Sequence, residues 1–346
     1  MKKLLYISCH ETLEYDELRI FTELGYEVFS VGYWMNPHEP KTTIRPGIPQ
    51  MKVNHELIAK FEKDYPDYKL PRAEVKTGRV RLQKDFLDNF DVVVNCWYQS
   101  NLEACLLNSS LPIIHRTIDI IHESIEETHT ALYVRRRPFY MVRMSEAENR
   151  YAKIKPQAII TQCVNKDDFK GWVGNEKKVF TTIKGFDNRP DTSLPLYNNT
   201  TEVFDRVLVG LDNKSVGDNS WVKQGIPQDE MLKLMQSCRV NYVQPRIGAA
   251  MVYGFIEGMM AGCPVVTYGQ KYNGIHWTAN QYIKNGINGF LCNSTEDAVN
   301  KIQLLMDDYD LAKEISVKAR DTAIKSFDYE TIKGQWAKLF KEIGSV

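Results

Sequence analysis

The chain opens with an apolar run at residues 4–8, and apolar positions then recur at Leu13, Leu18, Phe21 and Leu24 with polar residues between them. The run has strand length and the spacing that follows is helical, ended by Gly25 and succeeded by a second apolar run at 28–31. A strand–helix–strand order of this kind implies parallel pairing through a right-handed crossover. The theme continues with strand-like runs at 90–95 and 111–115 around a helical segment at 100–108, and with further strands at 158–161 and 179–183. Alternating strands and helices predict an α/β doubly wound domain. Residues 36–82 interrupt the alternation: they are polar, contain six prolines, and read as an excursion beside the sheet with one helix near 54–63.

Residues 188–203 have linker composition. A second α/β pattern follows, with strands at 207–210, 240–243 and 264–267, helices near 228–237 and around Glu257, and closing helices at 295–307, 309–326 and 329–346. The expected division is therefore 1–187 for a first Rossmann-like domain and 188–328 for a second. The first strand of the second domain is left open between 178–184 and 206–210.

At 346 residues the chain is long enough for two domains, and with 43% hydrophobic residues it can bury a sizeable core. The formal net charge is zero, so a case for a nucleic-acid or membrane partner has to come from local patches. Seven scattered cysteines without a CxxC pair argue against a disulfide framework or a zinc site and favour a reducing cytosol. Met1, Lys2 and Lys3 before a short apolar run read as the start of a strand rather than a signal peptide, and no stretch reaches the ~20 apolar residues of a membrane span. The expectation is a cytoplasmic protein with no bound metal.

The most informative segment runs from Tyr253 to Thr267, where Glu257 is the single acid on an otherwise apolar helix that ends at Ala261-Gly262 and leads at once into Pro264-Val265-Val266. Phe255, Ile256, Met259 and Met260 leave that helix little exposed face, so the carboxylate needs a partner. A ligand with adjacent hydroxyls fits this need. Gly248, Ala249 and Ala250 precede the helix, where small residues and free N–H groups suit a diphosphate, and Arg246 just upstream can add a charged contact.

This segment resembles the nucleotide-sugar signature of retaining GT-B glycosyltransferases of the glycogen-synthase and mannosyltransferase type. The resemblance implies two Rossmann-like domains facing across a cleft, with the last helix returning to the N-terminal, acceptor-side domain. It also implies a nucleotide-sugar donor, UDP-linked in our reading, whose ribose hydroxyls bind Glu257. A second basic residue usually holds the donor phosphates, and both Lys184 and Lys214 qualify. Lys271, Asn273 and His276, in the loop after the strand at 264–267, are further site positions.

Two departures accompany the match. The family usually carries another Glu eight residues before the ribose-binding one, where this chain has Ala249, and a glycine-rich loop after the first strand, where it has Cys9-His10-Glu11-Thr12. On the acceptor side, His115 ends a strand, Asp119 lies four residues on, and His10 and Glu11 follow the first strand; these are the expected catalytic positions. In the front-face mechanism discussed for retaining members, the leaving phosphate takes the acceptor proton. An inverting enzyme would need Asp119 or Glu11 as base.

Residues 134–155 hold seven basic and two acidic residues with aromatic residues among them. Arg135, Arg136, Arg137 and Arg143 then suit contact with a DNA backbone, and the stretch suits an anionic membrane surface equally well. The compact chain is similar in this respect to bacteriophage enzymes that glycosylate hydroxymethylated bases in double-stranded DNA. A lipid-linked or cell-surface glycan is the alternative acceptor, and a non-catalytic nucleotide-sugar binding protein is the reading from a different class. A dinucleotide oxidoreductase is disfavoured because no GxGxxG follows the first strand.

Overall fold

A computed structural model describes residues 1–8, 10–39, 45–68, 81–96, 110–118, 138–151, 153–187, 192–217, 219–245, 251–270, 272 and 279–344, with 150 and 151 described by their backbone alone. The chain forms two compact units, Met1–Thr161 with Lys333–Val346, and Gln162–Ile332.

The first unit is built on six parallel strands: β1 (Lys3–Ile7), β2 (Glu27–Val31), β3 (Val92–Cys96), β4 (Ile113–Arg116), β5 (Phe139–Arg143) and β6 (Ala158–Ile159). Their order in the sheet is β2-β1-β3-β4-β5-β6. Leu5 stands opposite Phe29 on one side and Val93 on the other, and Ile114 opposite Val94 and Tyr140. Helix α1 (Glu11–Glu23) makes the first crossover. The polar excursion contributes α2 (His55–Asp64), and the short α3 (Lys84–Leu87) follows it. Phe61 and Phe86 of these helices pack with Phe29 and Phe90 to cover one face of the sheet.

Strand β5 corrects the sequence reading. Residues 139–143 lie inside the stretch taken as a basic surface, yet they pair with β4 and β6, and Phe139, Met141, Val142 and Arg143 are buried.

The second unit has its own six parallel strands: β7 (Glu176–Thr182), β8 (Arg206–Val209), β9 (Val222–Lys223), β10 (Cys238–Val243), β11 (Val265–Tyr268) and β12 (Phe290–Cys292), ordered β12-β11-β10-β7-β8-β9. Because β7 pairs with β8 and β10, it is the founding strand of this sheet, and the boundary falls after Thr161 rather than after Asp187. Counted from β7 the order is 3-2-1-4-5-6, so the direction of winding reverses between β7 and β10.

Residues read as linker include α4 (Leu194–Thr201), started by Ser193, whose side chain accepts from Leu196 N, and with Pro195 in its first turn. Further along, the described residues form α5 (Gln228–Ser237), α6 (Tyr253–Ala261), α7 (Ala279–Tyr282), α8 (Thr295–Asp307) and α9 (Tyr309–Phe327).

The last helix, α10 (Tyr329–Glu342), carries the chain from the second unit into the first. Trp336 is fully buried there, edge-on to Phe21 at 5.0 Å, and Phe340 meets Phe21 at 5.5 Å and Tyr26 at 4.8 Å. Among the described residues no helix is long and apolar enough to cross a membrane.

Candidate functional site

Ligands of open α/β sheets bind outside the carboxyl ends of the strands, where the winding reverses. In the second unit that point is the end of β7 and β10, and α6 lies against it. Two glycines one turn apart bring the helix unusually close. A Cβ on Gly254 would overlap the Thr182 hydroxyl, and one on Gly258 would overlap the Asn241 carboxamide. Asn241, fully buried on β10, uses this proximity: its Nδ2 donates to Gly254 O at 2.9 Å. Gly262 ends the helix in the left-handed conformation, with φ of 87°, and lets the chain turn into β11. Glu257 sits midway along α6, four residues from each end, and is 5% exposed.

Lys184 and Lys214 are brought to the same edge on adjoining loops. Lys184 is half-buried just beyond β7, and Lys214 is exposed in the 3-10 turn Lys214–Val216 beyond β8. Gly185 N donates to Leu211 O at 3.0 Å and Asp187 N to Asp212 O at 3.1 Å, which ties the two loops together. Asn213, fully buried, completes the tie by donating to Ile183 O at 2.7 Å and accepting from Phe186 N at 3.0 Å. Asp187 accepts from the N–H groups of Lys214 and Ser215 at 2.6 and 2.7 Å. The Ser215 hydroxyl and these N–H groups hold its carboxyl below the usual range. Gly254 abuts Thr182, the last residue of β7, so the start of α6 adjoins the loop that carries Lys184. Arg246, Gly248, Ala249 and Ala250 lie outside the described residues, as do Lys271, Asn273 and His276.

The first unit departs further from expectation. His115 lies within β4 rather than at its end and is fully buried. Its Nδ1 is 3.2 Å from Asn95 Nδ2 on the neighbouring strand, and its ring stacks on Phe139. It is a core histidine. His10 caps α1: Nδ1 accepts from Leu13 N at 3.4 Å, and Glu11 opens the first turn, where an acid suits the helix dipole. Asp119 and Arg135, Arg136 and Arg137 lie outside the described residues.

Arg143 is a correction as well. It is fully buried, and its guanidinium donates to the carbonyls of Glu148 at 3.3 Å and Ile154 at 3.4 Å. A side chain that closes its own strand exit in this way is not available to a nucleic-acid backbone.

The same unit contains buried charges that the sequence reading did not single out. Glu17 of α1 accepts from Arg116 Nε at 2.9 Å and from the Tyr6 hydroxyl at 2.7 Å, and the two charged side chains are 2% and 0% exposed. Burial pushes the Glu17 carboxyl up, and the Arg116 charge opposes it. Glu14 accepts from Ser30 Oγ, Tyr33 N and Trp34 N at 2.7, 3.0 and 2.9 Å and so fixes the turn after β2. A sequence signal existed for both acids. Glu14 precedes Leu18, and Glu17 precedes Phe21, by one helical turn, which places them beside the apolar face of α1.

No family model matches the sequence, and no curated protein matches it. Solved structures do match the fold over the whole chain. HepE of Anabaena in complex with UDP-glucose superposes with a TM-score of 0.68 at 14% identity, covering 100% of both chains. Sucrose-phosphate synthase of Thermosynechococcus elongatus gives 0.69 at 13% identity, again over 100% of both. A glycosyltransferase of Rickettsia africae gives 0.65 at 15% identity, over 99% of this chain and 98% of that one. At such identities the likeness is one of fold. The two parallel six-stranded sheets with their helices are those of the GT-B glycosyltransferases, the fold class expected from the sequence.

Proposed function

We propose that the protein transfers a sugar from a nucleotide-sugar donor, UDP-linked, to an acceptor hydroxyl. The observation that carries this reading is the seating of Glu257. An acid is held in a buried setting on a helix that two glycines press onto the point where the second sheet reverses its winding. A carboxylate there suits the paired hydroxyls of a ribose. The start of α6 and the loops of Lys184 and Lys214 suit the diphosphate. HepE, of the same fold, is described in complexes with UDP and with UDP-glucose, which supports the choice of donor.

In this reading the bond from the anomeric carbon to the diphosphate oxygen breaks and one to the acceptor oxygen forms. The acceptor attacks from the face that the diphosphate leaves, so the configuration is retained, and its proton passes to the leaving phosphate, so no side-chain base is required. The protein's main task is to stabilise the departing negative charge. With His115 in the core and His10 capping a helix, this base-free route is the one we carry forward.

The acceptor proposal changes with Arg143 withdrawn into the sheet. It rests on Arg135, Arg136 and Arg137, and hydroxymethylated DNA is the acceptor to offer first, against a lipid-linked glycan. The test is incubation with radiolabelled UDP-glucose and each acceptor in turn. Labelled product that forms with the wild type and fails with Glu257→Gln is the expected result. A folded protein that neither binds nor consumes any UDP-sugar ends the proposal, and binding without hydrolysis or transfer would mark it as a non-catalytic binding protein.

A further inference from the structure

The carboxyl ends of β4 and β5 enclose an acid for which the proposed chemistry has no use. Glu148 lies in the 3-10 turn Glu146–Tyr151 and is 2% exposed. Its Oε2 is in close contact with the Thr117 hydroxyl, one residue past β4, and accepts from Met144 N, one residue past β5, at 3.2 Å. Glu148 therefore bridges two adjacent strand exits. Thr117 reinforces the bridge: its N–H donates to Val142 O at 2.9 Å, and its Oγ1 lies 3.3 Å from the same oxygen.

Two features of this geometry favour a neutral carboxyl. First, Oε1 is buried and has no hydrogen-bond partner among the described residues. Neither nearby guanidinium reaches Oε1: Arg116 Nε and Nη2 are engaged by Glu17 and the Thr161 carbonyl, Arg143 Nη1 and Nη2 by the carbonyls of Glu148 and Ile154, and Arg116 Nη1 is buried without a hydrogen-bond partner among the described residues. An ionised carboxylate with a bare buried oxygen is far costlier than an acid with a bare carbonyl oxygen. Second, Thr117 has one hydroxyl proton and two oxygen neighbours. A neutral Glu148 donates to Thr117 Oγ1, which in turn donates to Val142 O, and each oxygen is served. An ionised Glu148 would compete with Val142 O for the single proton.

The charged and titratable groups around this point are Arg116 from β4 and Arg143 from β5, and behind Arg116 lie Glu17 of α1, Tyr6 of β1 and Cys96 of β3. Burial raises the Glu148 carboxyl from 4.5 to about 7, opposed by the Thr117 contact, the Arg116 charge, the Met144 N–H and the Arg143 charge.

We propose that Glu148 is a positioning residue that acts in its neutral form, holding the exits of β4 and β5 together through a relay from Glu148 to Thr117 to Val142, and that losing its proton loosens both exits. Both exits belong to the first unit, the acceptor side under the transfer reading above, so the acceptor side of the reaction becomes proton-dependent.

Amide hydrogen exchange on the wild-type protein tests the relay without any need for activity. Once corrected for intrinsic base catalysis, protection at Thr117 and Met144 reports the closed population. Between pH 4.5 and about 7 the closed form keeps a proton that an opened, solvated Glu148 releases. Protection should then fall by about tenfold per pH unit and level off above that window, where both forms are ionised. Glu148→Gln, whose amide can donate to Thr117 but cannot titrate, should show no such fall. A flat corrected profile in the wild type, or the same slope in Glu148→Gln, overturns the proposal. Should the Gln variant not fold, a flat corrected profile in the wild type still overturns the proposal.

Where transfer is measurable, the acceptor KM should rise over the same window in the wild type alone, with donor affinity unchanged. An acceptor KM that stays flat would overturn the positioning role. Absence of transfer with every acceptor would count against the transfer reading and leave the exchange result standing.

Discussion

Replacing glycine by alanine in a helix ordinarily stabilises it by about 1 kcal/mol, because alanine restricts the unfolded chain and hides backbone from water. The structure predicts opposite signs for this one substitution at two helical glycines. Gly334 of α10 is exposed, and a Cβ there meets nothing within 4 Å, so Gly334→Ala should gain the full ~1 kcal/mol. Gly258 of α6 faces Asn241, and an added Cβ would overlap the carboxamide that donates to Gly254 O at 2.9 Å. Two costs then arise together. Overpacking against a strand costs about 1–3 kcal/mol. Driving the fully buried Asn241 amide off its acceptor costs about 1–3 kcal/mol more.

Set against the propensity gain, Gly258→Ala should lose about 1–5 kcal/mol net. Calorimetry reads the difference directly. The transition of the second unit should drop by roughly 2–20 °C, and that of the first unit should rise by about 2–4 °C in Gly334→Ala. Because Glu257 is the next residue along the same helix, Gly258→Ala should also weaken donor binding below the melting range. If Gly258→Ala stabilises as Gly334→Ala does, α6 does not lie against β10, and the placement of Glu257 falls with it.

Other outcomes follow from the same contacts. Glu257→Gln should keep the melting temperature within a few degrees and raise the donor KM strongly, read by initial rates at fixed acceptor. Arg116→Met leaves Glu17 buried without its partner and should cost about 3–5 kcal/mol in urea unfolding, while the double change Arg116→Met with Glu17→Leu should recover most of that loss. Trp336→Ala removes the ring that meets Phe21 edge-on and lies under Arg116, and should destabilise the first unit by about 3–5 kcal/mol with the second unit's transition unmoved.

The strand–helix alternation was readable because parallel strands buried on both faces are nearly continuous apolar runs, as at 4–8 and 90–95. Three things escaped. The partner of a strand is not written in the strand, so the first strand of the second domain stayed open between 178–184 and 206–210, and the expected division at 187 left β7 on the wrong side of it. Strand β5 was hidden because Arg143 and the preceding arginines raise the local charge, and only the surrounding carbonyls of Glu148 and Ile154 make a buried guanidinium tolerable. Helix α4 was hidden by Pro, Asn and Thr, residues common in turns, although Ser193 and Pro195 also make a good helix start.

At the candidate site, Glu257 was legible as an acid among apolar neighbours. The role of Gly254 and Gly258 was not, since closeness of approach depends on Thr182 and Asn241, which lie far away in sequence. His115 was expected at a strand end, where ligands bind, but β4 continues to Arg116 and the ring is fully buried.

The first unit is interrupted in the chain by the whole of the second. Its core includes Trp336 and Phe340, which meet Phe21 and Tyr26 from the far end of the sequence. During synthesis the ribosome therefore releases the complete second unit, Gln162–Ile332, while the first still lacks its closing helix. Domains generally fold as units, the N-terminal one first. Here the order is reversed for completion: the unit begun first is finished last, and until residue 340 emerges the sides of Phe21 and Tyr26 that meet Trp336 and Phe340 stay open to water and to chaperones.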